Sequence, residues 1–242
     1  MEPELRKRFI DSIEYLRKMG FFQDYSNLTS EEILEKIFNG EIDYSKHWSD
    51  ANLSNEELRR RRNNSKLSSY GALLLKSIEE KKDLWLEKSD ASIDYELVCF
   101  DTKRVMVEDA ETDVVKGAGV GLIKRLAKIS RGNFQPIILS EELNENEENP
   151  PEEKWWQDKH MWSSFTVRFK YRGKKHDVKI FFYKDFLNDS FVWDINKIIM
   201  DTGYQYYAFL EATRSVELAL VMLTDEEAEK LKKERRWEIY KQ

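Results

Sequence analysis

Apolar residues Leu5, Phe9, Ile13 and Leu16 recur at spacings of three and four, the period that places them on one stripe of a helix, and Gly20 stands where such a helix would stop. The stretch TSEEILEKIFNG at residues 29–40 predicts a second helix, with Thr29 as cap, Glu32 closing a capping box and Gly40 ending it. Ser54, with Glu57 three positions on, predicts a third start. Residues 70–88, YGALLLKSIEEKKDLWLEK, continue a helical pattern after an interruption at Asn63 and Asn64. The chain up to about residue 90 therefore reads as helical.

From Ile93 the period changes. YELVCF at residues 95–100 and RVMVED at residues 104–109 are short β-prone runs separated by the polar DTKR, a hairpin signal. Leu122, Ile123, Leu126 and Ile129 return to helical spacing before Gly132, and FQPIILSEEL offers a strand that Pro136 assigns to a sheet edge or a strand start. The strongest hairpin pattern sets Phe165, Val167, Phe169 and Tyr171 against Val178, Ile180 and Phe182 across the turn RGKKHD. Phe191, Val192, Ile195, Ile198 and Ile199 form a helical stripe ended by Gly203. YQYYAFLE and VELALVML then flank the turn ATRS, and Thr224 with Glu227 caps a final helix whose acids lead and whose bases trail.

Hairpins, not regular crossovers, link most of these strands. The pattern predicts an α+β fold in which a helical N-terminal portion packs on a mainly antiparallel or mixed sheet flanked by helices. The division it suggests is a helical region over residues 1–90 and an α+β domain over residues 91–242, with an acidic loop near residues 141–154.

Composition narrows the functional classes. The 242 residues are 40% hydrophobic, enough to build a core, and 36% charged with a net charge of -6. A negative balance argues against generic nucleic-acid binding, which needs positive charge to displace counterions, although the run of four arginines at residues 59–62 leaves a local phosphate contact open beside the alternative of a solvated helix face. Cys99 is the only cysteine, so no intrachain disulfide forms, and its apolar setting reads as a buried thiol. No stretch approaches the roughly 20 apolar residues that span a bilayer. Cytoplasmic residence without a membrane partner is the expectation.

Candidate chemistry is sparse. KGAGVGLIKRLAKIS at residues 116–130 alternates Gly117, Gly119 and Gly121 ahead of a basic amphipathic segment, yet Leu122 stands where a dinucleotide fingerprint needs its third glycine, and a P-loop needs Gly-Lys-Ser/Thr. A pliable helix entrance is the preferred reading, and an anion held by backbone N–H groups is the alternative. His47, His160 and His176 have no metal-ligand spacing, so neither metal nor other cofactor is expected. Two carboxylate groupings could nonetheless support a metal-dependent hydrolase or nuclease, Glu108 and Asp109 in VEDAETD and Asp177 with Lys179 in HDVK, two apart and hence on one face of a strand, beside the preferred readings of a solvated acidic turn and of exposed cross-strand charges.

The acids and aromatics point elsewhere. Seven glutamates fall between residues 141 and 153, and Glu145, Glu147, Glu148, Glu152 and Glu153 run into Trp155, Trp156 and Trp162. Rings beside a negative rim suit a protein partner with a basic surface, because aromatics supply buried area and carboxylates supply steering. The same tryptophans could instead pin the loop to the core.

Over residues 91–242 the succession DTKRVMVEDAETDV, LAKISRGNFQP, FTVRFKYRGKKHDV and LVMLTDEEAEKLKKERRW resembles a group of bacterial proteins, some similar to immunity proteins of polymorphic toxin systems, with ISRGNFQP at residues 129–136 the most distinctive piece. The resemblance implies a non-catalytic cytoplasmic protein that neutralises a toxin by occlusion. It carries no catalytic residue, and the helical first 90 residues lie outside it.

Overall fold

The N-terminal periodicity is realised in the computed structural model, which describes residues 1–43, 69–109, 114–145, 162–184, 186–209 and 217–241. Helix α1, Pro3–Lys18, buries Leu5, Phe9, Ile13 and Leu16 along one face. Helix α2, Ser30–Phe38, has its capping box: Glu32 N–H donates to Thr29 Oγ1, and Thr29 N–H donates to Glu32 Oε2 at 2.7 Å. Helices α3 (Tyr70–Glu80), α4 (Lys82–Glu87) and α5 (Asp90–Val98) extend this layer. The start expected at Ser54 and the arginines at residues 59–62 lie outside the described residues.

Helix α5 corrects the first expected strand. Residues 95–100 do not pair with residues 104–109; they belong to α5 and the turn after it, and Ser89 Oγ caps the helix by accepting from the Ser92 N–H. Ala91 and every residue from Ile93 to Val98 are buried. A helix enclosed on all sides has no polar stripe, so its periodic signature vanishes and a short apolar run looks like a strand. Cys99, just beyond it, is buried as its setting suggested.

Eight strands among the described residues form two four-stranded antiparallel sheets. The first sheet has the order β1 (Val105–Asp109), β7 (Glu217–Thr224), β6 (Tyr204–Phe209), β8 (Ile239–Lys241). The second runs β2 (Ile137–Asn144), β3 (Trp162–Tyr171), β4 (Lys174–Tyr183), β5 (Phe186–Leu187). The β3–β4 hairpin holds the register the alternation implied, with Val167 opposite Val178 and Phe165 opposite Ile180.

The first sheet is buried on both faces. Val105, Val107, Tyr207, Phe209, Val221 and Leu223 pack against the N-terminal helices and against Ala228 and Leu231 of α8 (Asp225–Arg235). Their neighbours Met106, Tyr206, Ala208, Leu220 and Met222 face the other way, into a second core. That core is filled by Leu122, Ile123, Leu126 and Ile129 of α6 (Ala118–Ile129), by Phe191, Val192, Ile195 and Ile199 of α7 (Phe191–Ile199), and by the inner face of β3 and β4. The layers are therefore helices, sheet, helices, sheet. An α+β architecture with a helical N-terminal portion on an antiparallel sheet is what the pattern predicted.

Candidate functional site

The glycine-rich stretch forms the N-terminus of α6, and an internal group already occupies it. Gly117, with a φ of 95°, precedes the helix, its N–H donates to Glu141 Oε1 at 2.5 Å, and the Val120 N–H donates to Glu141 Oε2 at 2.7 Å. One carboxylate from β2 thus satisfies two donors that a helix start leaves open and lies at the positive end of the helix dipole. Gly119 permits the approach: a Cβ there would come within 2.8 Å of Phe165 Cβ and 3.0 Å of Glu141 Oε2. A Cβ at Gly121 would meet nothing within 4 Å. The structure supports the pliable helix entrance, with Glu141 where an external anion would have sat.

This also corrects the start of the acidic loop. Residues 140–144 are not loop but the second half of β2, paired with β3 from Arg168 to Ser164. The two acids expected to keep the segment out of the fold are accommodated differently. Glu141 points inward to α6, while Glu142 on the outer face accepts from Arg168 Nη1 at 3.0 Å. That hydrogen bond raises the Arg168 guanidinium further above its ordinary value.

Glu108 does not meet Asp177 or Lys179. Glu108 is buried, 3% exposed, in an ion pair with Arg125 of α6, on the side of the first sheet that faces the second core. Asp177 and Lys179 project from the outer face of the second sheet, since their neighbours Val178 and Ile180 fill the core beneath them. Asp177 lies opposite Arg168, which reaches it at 3.4 Å, and the Lys179 ammonium lies 5.7 Å from the Phe181 ring centroid. Helix α6 and the second sheet separate Glu108 from Asp177 and Lys179. Asp109 ends β1 opposite Glu217. Among the described residues no group of three or more His, Cys, Asp or Glu could hold a metal ion. His176 stacks on Phe169 at 5.6 Å.

Of the expected partner surface, Glu145 is exposed immediately after β2. Trp162 is not at the surface. Its ring is 1% exposed and packs at 5.5 Å from Tyr183 and 6.4 Å from Phe181, so it pins β3 and offers nothing to a partner. Glu147, Glu148, Glu152, Glu153, Trp155 and Trp156 lie outside the described residues, as do His47 and His160.

Sequence reading missed the apolar exposure of β2 itself. Ile137 is 65% exposed, Leu139 51% and Leu143 38%, and among the described residues β2 has β3 on one side and no strand on the other. Pro136 was the available signal, since it marked an edge. Sequence reading also missed a polar corner beside α1. Asp101, 6% exposed, accepts from the Phe22 N–H at 2.5 Å, and Arg104, 8% exposed, donates to Gly20 O and lies 4.5 Å from the Phe21 ring. Burial lowers the Arg104 guanidinium and raises the Asp101 carboxyl.

Compared with known proteins, the chain matches no family model, no curated protein and no solved structure. No helix among the described residues is long and apolar enough to cross a membrane.

Proposed function

We propose that this chain is a non-catalytic protein-binding protein that neutralises a partner with a basic surface by occlusion, the role that its resemblance to immunity proteins of polymorphic toxin systems implies. The contact surface is the acidic run that begins at Glu145. The observation that carries the reading is the end of β2, where the half-exposed Leu143 leads into the exposed Glu145 and the run Glu147, Glu148, Glu152 and Glu153. Apolar exposure beside a row of carboxylates is the chemistry of a steered protein contact.

The commitment of the other acids supports the same reading. Glu108 pairs with Arg125, Glu141 caps α6 and Asp94 is held by Arg235, so the interior carboxylates serve the fold. The test is capture from the native host with the full chain and with a variant in which Glu145, Glu147, Glu148, Glu152 and Glu153 become Gln. A basic protein retained by the wild type, released by salt and missed by the variant is the expected result. Equal retention by both chains would reject this surface.

A further inference from the structure

The geometry points to a second copy of this chain as the occupant of the β2 edge, the two copies pairing antiparallel through β2 about a two-fold axis. An exposed edge strand presents unpaired backbone N–H and C=O groups, and proteins usually blunt such edges with charge or cover them. Here the eight-residue strand, which among the described residues has a strand on one side only, exposes Ile137, Leu139 and Leu143. The register shift between Ile138 and Ser140 and the inward Glu141 restrain indiscriminate pairing, leaving two short runs that a specific partner can match.

Charge selects a second copy as that partner. Along the β2 edge the exposed charges differ between the two ends. At one end stand the exposed Glu142 and Glu145; at the other, around the β3–β4 turn, stand the exposed Lys170, Lys174 and Lys175. Lys170 lies directly opposite Ile137, at the start of β2. Antiparallel pairing about a two-fold axis brings the acidic end of each copy beside the lysines of the other. Parallel pairing would place acid against acid. A two-fold contact is self-complementary by construction, and this surface has that property. The proposed neutralising role shares Leu143 and Glu145 with this edge, whereas Ile137, Leu139 and Lys170 belong to the edge alone, and the variants below alter those.

The test is the mass of the full chain in solution over a range of concentrations and salt, with two surface variants. The wild type should weigh twice 29.0 kDa and dissociate as salt rises. The double variant Ile137→Lys with Leu139→Lys should bind itself at least about tenfold more weakly. Lys170→Glu, which alters only exposed charge, should weaken association, and adding Glu145→Lys to it should restore it. Amides of residues 137–144 should exchange hydrogen more slowly as concentration rises. A wild type that stays monomeric, or a dimer that survives the β2 variants, overturns the inference. So does β2 protection that arises only on capture of a different basic protein. Partner capture by these monomeric variants reads the neutralising role separately.

Discussion

Gly119 and Gly121 are two residues apart on one helix and face opposite demands. Gly119 is where α6 passes closest to the second sheet, and the atoms its Cβ would meet include Phe165 Cβ at 2.8 Å and Val167 Cγ2 at 2.9 Å. Phe165 Cβ is fixed to the strand backbone and cannot yield as a flexible side-chain end would, so Gly119→Ala should destabilise the chain by about 1–3 kcal/mol through overpacking. Gly121 has open space, and its backbone is already helical. Gly121→Ala should stabilise by about 0.5–1 kcal/mol, the helix-interior difference between the two residues. Denaturant unfolding of both variants decides the matter, and shifts of the same sign would contradict this account of the motif. The alternation that looked like a phosphate loop thus separates into one glycine for a positive φ, one for close packing and one that packing does not require.

At the scale of elements, legibility followed exposure. Helices with one polar face and the β3–β4 hairpin announced themselves because their inside and outside differ, as the buried Val167 and the partly exposed Arg168 do on adjacent positions. α5 hid because it is enclosed all round, and the end of β2 hid because Glu141 and Glu142 read as loop acids when their partners, the α6 N-terminus and Arg168, lie 21 or more residues away in sequence. Trp162 misled for a related reason: an aromatic next to an acidic run looks like a rim residue until the cross-strand Tyr183 is placed against it. Asp101, in the turn joining α5 to β1, shows how such long-range partners alter chemistry. Burial raises its carboxyl above the ordinary value of 3.8, against the lowering effects of the Phe22 N–H and the Arg104 charge. As pH rises past 3.8 the unfolded chain ionises before the folded one, so this group's contribution to stability declines until the folded carboxyl ionises too. Asp101→Asn removes that decline. The stability of the variant relative to wild type should improve as pH rises from about 3 to about 7, and a constant difference across that range would show that Asp101 does not titrate as its burial demands.

At the scale of the whole molecule, the N-terminal helices and the C-terminal segment close on one another. Asp94 of α5 is fully buried and receives Arg235 through two hydrogen bonds at 2.7 and 2.8 Å and the Trp237 indole N–H at 3.0 Å, while Arg235 also donates to Ser12 Oγ of α1 at 2.6 Å. The Trp237 ring stands against Tyr95, Phe21 and Phe209, so the polar junction is enclosed by rings from both ends of the chain. A division near residue 90 therefore falls inside a shared core. Residues 91–242 alone would lose α1, with Leu5, Phe9, Ile13 and Leu16, from above the first sheet and would expose Val105, Val107, Val221 and Leu223 to water. Each such side chain contributes about 1.5–3 kcal/mol when buried, and several together match the entire stability of an ordinary domain. The fragment of residues 91–242 should show no cooperative thermal transition, whereas the full chain should unfold in a single step in which Trp237 fluorescence, read in a chain whose other tryptophans are replaced by Phe, and far-ultraviolet circular dichroism change together. A fragment that melts cooperatively by itself would mean that the second core suffices.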